Sequence, residues 1–264
     1  MLFSARPRLS SSEGSYVKIL AADANGNVCA VGSRNGEFLT VKYSPSGAKL
    51  WEKTYTGLAG GVSLASDVAA PVASGSVYVV GVSSADGGGK EYVTIKYTHS
   101  GQRAWVRRFS PGADVTTYYE PMVAARGSKV YACVTVGVGG GNYRVKTFAY
   151  DVDDGPGVYG MESWVKNWQQ NGGRVEAASL VVDSKGRVHV AARLYHESIN
   201  WEMATQMYGA NGGYYVARRY GLADKRHKAS DIAVDDQGRQ YVVGSRQGDG
   251  GWDMLTIKLL SQTN

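Results

Sequence analysis

Residues 38–51 read FLTVKYSPSGAKLW, and residues 92–105 read YVTIKYTHSGQRAW. The two stretches share a hydrophobic alternation, a Lys-Tyr pair, a Ser-Gly turn and a closing tryptophan. Their thirst for a common index is met by the threonine, which recurs at Thr40, Thr94, Thr147, Thr205 and Thr256, with steps of 54, 53, 58 and 51 residues. A second anchor, a turn followed by an alternating run, recurs at Gly26-Asn27-Val28, Gly75-Ser76-Val77, Ser128-Lys129-Val130, Gly186-Arg187-Val188 and Gly238-Arg239-Gln240. The chain therefore holds five repeat units, and a fixed period near 50 residues marks a repeat architecture.

Each unit reads as four short strands. Runs rich in β-branched and aromatic residues are separated by Gly, Asn, Asp and Ser, which favour tight turns. In the second unit the strands are expected near residues 66–72, 76–82, 91–97 and 103–109. Nothing shows a convincing 3.6-residue period. The expectation is an all-β fold, a five-bladed β-propeller of four-stranded antiparallel blades, forming one domain over residues 1–264. The blades fall near residues 9–56, 57–110, 111–169, 170–221 and 222–264 plus 1–8. The fifth unit stops after its third strand, so residues 2–8 are expected to supply the fourth and close the ring.

Composition supports an ordered chain. Glycine makes up 35 of 264 residues against 6 prolines, which suits many tight turns and not a proline-rich disordered chain. Hydrophobic residues at 43% also argue against disorder. No stretch approaches the roughly 18 apolar residues of a membrane helix. The N-terminus lacks the apolar run of a secretory signal, which is read as a cytoplasmic or a mature chain. Cys29 and Cys133 are too few for a disulfide framework and are expected to be buried free thiols. No Cys/His spacing suits a metal, and no nucleotide or cofactor fingerprint is present, so neither metal nor cofactor is expected.

The blocks FLTVKYSPSGAKLW, VTIKYTHSGQRAW and DIAVDDQGRQYVVG (residues 231–244) resemble the bacterial SBBP β-propeller repeat. That resemblance covers essentially the whole chain, and it implies a secreted or cell-surface bacterial protein with a binding role. The count of five units departs from the seven of the family's name.

The net charge of +6 is spread over the fourth strands, at Lys53, Arg107, Arg108, Lys166, Arg218 and Arg219, where charge protects a sheet edge. This pattern argues against nucleic acid, which calls for a continuous basic stripe. Acids three residues before the threonine (Glu37, Glu91, Glu202, Asp253) and the tryptophans Trp51, Trp105 and Trp164 or Trp168 read as scaffold. His189 takes a place held by tyrosine in three other units and reads as a packed histidine.

Loops that differ between units are where a regular scaffold becomes specific. On one face they carry Tyr118, Tyr119, Tyr143, Arg144, Arg174, His196, Asn200, Trp201, Asp249 and Trp252, the candidate ligand-binding residues. Aromatic rings beside amide, carboxylate and guanidinium groups suit a sugar or a protein surface. The expectation is a non-enzymatic module that binds a glycan or partner protein. The alternatives are a glycosidase or polysaccharide lyase using channel carboxylates among Asp67, Glu120, Glu176 and Asp231, and a structural subunit of a surface assembly.

Overall fold

A computed structural model describes residues 14–58, 60–71, 75–86, 89–111, 119–152, 161–170, 173–196, 200–221 and 225–259, with only the backbone of His196 and Asn200. The described residues form nineteen strands. The first sheet is β1 (Ser15–Ala22), β2 (Val28–Arg34), β3 (Glu37–Tyr43) and β4 (Lys49–Tyr55), paired in that order. The second is β5 (Ser63–Ala69), β6 (Val77–Ser84), β7 (Lys90–Tyr97) and β8 (Arg103–Phe109), again in sequence order.

The third sheet has eight strands: β9 (Met122–Arg126), β10 (Lys129–Gly137), β11 (Tyr143–Asp151), β12 (Glu162–Trp168), β13 (Gly173–Val182), β14 (Val188–His196), β15 (Asn200–Tyr208) and β16 (Tyr214–Tyr220). Its strand path runs β16-β15-β14-β13-β11-β10-β9, and β12 pairs with β11 beside it. The fourth sheet is β17 (His227–Val234), β18 (Gln240–Gly248) and β19 (Gly251–Leu259).

This arrangement corrects the expected five-bladed propeller. The strands group as sheets of four, four, eight and three, and no sheet among the described residues closes on itself. The third and fourth repeat units merge because β11 and β13 pair in parallel at Tyr143 and Arg174. The fourth sheet has three described strands, and the closing strand expected at residues 2–8 lies outside the described residues.

Within the sheets the repeat register is direct. Thr40, Thr94, Thr205 and Thr256 lie on β3, β7, β15 and β19, opposite Val31, Val80, Ala191 and Val243. The first strand of four repeat units also breaks register at one place: between Val17 and Ile19, Ala65 and Asp67, Ala177 and Ser179, and Ala229 and Asp231. A bulge of this kind adds twist and turns a side chain toward a neighbour.

Two compact units are distinguished. One comprises residues 1–113, 120–132 and 150–161, and the other residues 114–119, 133–149 and 162–264. In the first, Cys29, Val31, Phe38, Trp51, Val79 and Ile95 belong to one buried cluster. Trp51 Nε1 donates to the His99 carbonyl at 3.0 Å, and Lys42, fully buried, pairs with Asp23 at 2.9 Å and donates to the Gly75 carbonyl at 3.0 Å. Burying that ammonium is tolerable because both the countercharge and a further acceptor are in place.

In the second unit Ala191, Met203, Ala229, Ile232 and Val242 form the buried cluster. Trp164 Nε1 donates to the Ala210 carbonyl at 2.9 Å, and Thr205 Oγ1 to Gln240 Oε1 at 2.9 Å. The tryptophans expected as packing residues are thus anchored by their indole N–H as well as by area.

Candidate functional site

Four side chains lie in register across the third sheet. Tyr143, at the start of β11, pairs with Arg174 near the start of β13. Arg174 in turn faces Tyr195 on β14, and Tyr195 faces Trp201 on β15. The backbone here is turned by Gly139, Gly140 and Gly141, which have φ of 85°, 59° and 75°. Only glycine adopts three consecutive left-handed conformations without strain. This turn delivers Tyr143 to the edge that β13 joins.

The Arg174 guanidinium carbon lies 5.5 Å from the Tyr143 ring centroid and 5.6 Å from that of Tyr195. Tyr195 and Trp201 are tilted at 5.2 Å, and Tyr119 meets Tyr143 edge-on at 5.3 Å. Tyr143, Arg174, Tyr195, Trp201 and Tyr119 are each half-buried. Rings on either side strip part of the water from the cation while leaving its in-plane N–H groups free to meet a ligand. No described carboxylate forms an ion pair with Arg174.

Two residues along β13, Glu176 points a carboxylate at the same group. Tyr119 donates its hydroxyl to Glu176 Oε1 at 2.8 Å. Burial, followed by that hydrogen bond and the Glu176 charge, holds the Tyr119 phenol protonated far above the ordinary range. The arrangement therefore combines a fixed cation, a protonated phenol and a carboxylate acceptor beside aromatic faces. A positioned phenol and carboxylate can exchange protons with a bound substrate.

The expected site residues divide accordingly. Tyr119, Tyr143, Arg174 and Trp201 come together, joined by Tyr195 and Glu176. Tyr118 lies outside the described residues, and of His196 and Asn200 only the backbone is placed, at the ends of β14 and β15. Arg144 follows Tyr143 on β11 and so faces the other side of the sheet, where its charge depresses the Lys146 pKa after the larger effect of burial. Arg144 Nε is buried without a hydrogen-bond partner. Asp249 and Trp252 belong to another group in the fourth sheet: Asp249 pairs with Lys225, and Lys228 lies 4.9 Å from the Trp252 ring centroid.

The four channel carboxylates do not converge on a pair. Glu120 pairs with Lys18 at 2.7 Å. Asp231 accepts from Ser179 Oγ at 2.6 Å. Asp67 accepts the N–H groups of Val68 and Val123, both at 2.8 Å, and burial pushes its carboxyl up to about 6. His189 is a packed residue: it is fully buried between Asp183 at 3.1 Å and Gln240 at 2.7 Å, and burial lowers its pKa.

A repeated aspartate turn becomes visible only in the structure. Asp23, Asp183 and Asp235 each accept backbone N–H bonds from the residues two and four positions on. Their common signal is an Asp three residues before the turn glycine in DANGN, DSKGR and DDQGR. These aspartates hold the turns between first and second strands, as side chains that mimic a backbone turn do. Among the described residues no cluster of His, Cys, Asp or Glu is placed to hold a metal ion, and no helix is long and apolar enough to cross a membrane.

No protein-family profile matches the chain, and no curated protein is similar to it in sequence. Solved structures share its fold. A Dyadobacter fermentans DSM 18053 protein of unknown function has a TM-score of 0.53 at 11% identity, covering 94% of this chain and 84% of that one. A Pseudomonas brassicacearum lignostilbene dioxygenase has 0.53 at 12%, covering 89% and 58%. A Synechocystis apocarotenoid oxygenase has 0.50 at 12%, covering 94% and 60%. The chain thus spans about three fifths of the oxygenase chains. The expectation of a non-enzymatic module took the regular scaffold as a sign of binding alone; that step is corrected, because oxygenases are built on a similar scaffold, which therefore does not separate binding from catalysis.

Proposed function

We propose that the Arg174 group is the substrate site of an enzyme that performs acid-base chemistry on an anionic, ring-bearing substrate, with an acidic saccharide as the class it fits. The observation that carries this reading is the unpaired Arg174 guanidinium between Tyr143 and Tyr195, beside the Tyr119–Glu176 hydrogen bond. Arg174 would meet the substrate carboxylate in a bidentate pair. Tyr143, Tyr195 and Trp201 would stack against the sugar face, and the Tyr119 oxygen would accept a proton from the substrate as its own phenolic proton passes along the hydrogen bond to Glu176.

The resemblance to SBBP repeats supports a further part of the proposal, a place outside the cytoplasm, where acidic polysaccharides occur. Cell fractionation tests that part separately.

The test of the site uses uronate-containing oligosaccharides, with calorimetry for binding and product analysis for turnover. Parent protein is expected to bind and convert them, R174Q to lose binding, and Y119F to bind but not turn over. Equal binding by parent and R174Q, or unchanged turnover in Y119F, overturns the reading.

A further inference from the structure

Arg174 and Glu176 stand two residues apart on one face of β13, roughly 7 Å along the strand. The phenol oxygen of Tyr119 lies at the Glu176 end of that span, 2.8 Å from Glu176 Oε1. The tip of the Arg174 fork lies against a glycine: a Cβ at Gly141, whose φ is 75°, would come 3.5 Å from Nη2. The turn without side chains thus leaves that end of the fork to a carboxylate ligand.

The carboxylates restrict the reaction this group can perform. Hydrolysis of a glycosidic bond takes two carboxyl groups, one on either side of the bond. Among the described residues Glu176 is the one carboxylate hydrogen-bonded to a member of the group, and its bonded oxygen is turned to the Tyr119 phenol. The other three channel candidates are engaged with Lys18, Ser179 and the Val68 and Val123 N–H groups. Elimination has different requirements. A cation takes up the charge of the substrate carboxylate, so that the C–H beside it becomes acidic, and one positioned group takes the proton. Arg174 and Tyr119 supply these two parts.

We propose that this site cleaves acidic polysaccharides by syn β-elimination, with Tyr119 as the single group that removes the proton and returns it. The inference rests on the reading of Arg174 as the substrate site and adds the bond that breaks. The carbon bearing the substrate carboxylate gives its proton to the Tyr119 oxygen as the phenolic proton passes to Glu176. The electron pair of that C–H bond becomes the new C=C bond, and the adjacent C–O bond breaks with its pair on the glycosidic oxygen. Glu176 then returns its proton through Tyr119 to that oxygen. The products are an unsaturated uronate and a free hydroxyl; no water is consumed, and neither an oxidant nor a reductant takes part.

Because one phenol oxygen serves both atoms, the hydrogen and the leaving oxygen must lie on the same face of the sugar ring. Four-linked glucuronate and mannuronate meet that condition. Galacturonate, whose glycosidic oxygen is on the opposite face from the hydrogen, does not. The site therefore selects its substrate by ring stereochemistry as well as by charge.

The test incubates four-linked oligomers of glucuronate, mannuronate and galacturonate with the parent, Y119F and E176Q in heavy-oxygen water. Ultraviolet absorbance detects the conjugated double bond, mass spectrometry the oxygen, calorimetry the binding and circular dichroism the fold. The parent is expected to form unsaturated products free of heavy oxygen from glucuronate and mannuronate only. Glu176 acts through Tyr119, and the carboxamide of E176Q still accepts the phenol's hydrogen bond but cannot take its proton. E176Q is therefore expected to keep KM and to lose about 10²-fold or more of kcat, a split that a lost packing contact does not give. Y119F is expected to do the same. Heavy oxygen in a saturated product shows hydrolysis; it overturns the elimination and leaves the Arg174 site standing. Equal cleavage of galacturonate, unchanged kcat in both variants, or no cleavage of any oligomer that binds overturns it likewise. Oligomers that do not bind at all overturn both this inference and the site on which it rests.

Discussion

Arg174 and Tyr143 face each other at the register position where β11 and β13 run parallel, with the guanidinium carbon 5.5 Å from the ring centroid. One pair of residues thus joins the third and fourth repeat units into a single sheet and forms the centre of the candidate site. A contact of this kind is worth about 0.5 to 2 kcal/mol. Arg174 has a second one with Tyr195, so its loss is felt in stability as well as in binding. R174Q is expected to lower the unfolding free energy by about 1 to 2 kcal/mol. R174K keeps the charge but not the planar fork, so it should recover less than half of the lost affinity for a carboxylate ligand. Urea unfolding and calorimetry on the three proteins check this, and full rescue of binding by lysine would show that charge alone matters there.

Tyr119 gives a prediction that separates chemistry from packing. Phenylalanine keeps the ring that meets Tyr143 edge-on and removes only the hydroxyl that donates to Glu176. Positioned groups that transfer a proton contribute roughly 10² to 10⁴-fold to rate. Y119F is therefore expected to lower kcat by about that factor with KM nearly unchanged. Because burial keeps the Tyr119 phenol protonated well above its ordinary range, its ionisation should not limit the parent rate up to pH 10. A parent pH-rate profile that falls with a pKa near 9 would remove Tyr119 as the relay to Glu176.

The sequence made strands and their order readable, but not the boundaries between sheets. The index threonines and the Ser-Gly turns located strands such as β7, expected at residues 91–97 and found at Lys90–Tyr97. Local alternation and turn chemistry decide that level, and they are written in every unit. The merging of two units depends on a single long-range bridge between Tyr143 and Arg174, which no local pattern encodes. The same holds for the site. Tyr119, Tyr143, Arg174 and Trp201 stood out as divergent loop residues, but the match of Tyr119 to Glu176 over 57 positions needs the fold to bring it about. In sequence Glu176 is legible only as one of four candidate channel carboxylates. Asp249 and Trp252 look equivalent to the others because loops on one face are alike in sequence, whereas the fourth sheet places them beside Lys225 and Lys228.

The two thiols offer a simple check on the interior. Cys29 and Cys133 are both free and fully buried, and burial pushes their pKa values up to about 11 and about 12. Thiolate is the reactive form, so both should resist alkylation in the native state at pH 8 and react only on unfolding. Mass spectrometry after a short exposure to iodoacetamide should find neither cysteine modified without denaturant and both modified with it. Rapid native labelling of Cys133 would contradict its placement in the second unit.

Asp67 carries the last prediction, a pH dependence whose sign follows from its surroundings. Burial raises its folded pKa from 3.8 to about 6, against the two N–H bonds it accepts from Val123 and Val68. The folded state thus holds this proton more tightly than the unfolded state does. The resulting stabilisation is fully present below about pH 4 and is lost as pH rises through 6. A gap of this size corresponds to at most about 3 kcal/mol, reduced by the partial exposure of the residue. Asp67→Asn cannot titrate, and it retains one acceptor oxygen for two N–H donors, a pH-independent loss of about 1 kcal/mol. Urea titrations of parent and variant between pH 4 and 7.5 should show the parent's advantage at pH 4 shrinking across this window. An advantage that stays constant with pH would mean that Asp67 ionises in the folded chain as it does in the unfolded one, and that its carboxylate is better hydrated than its position between β5 and β9 indicates.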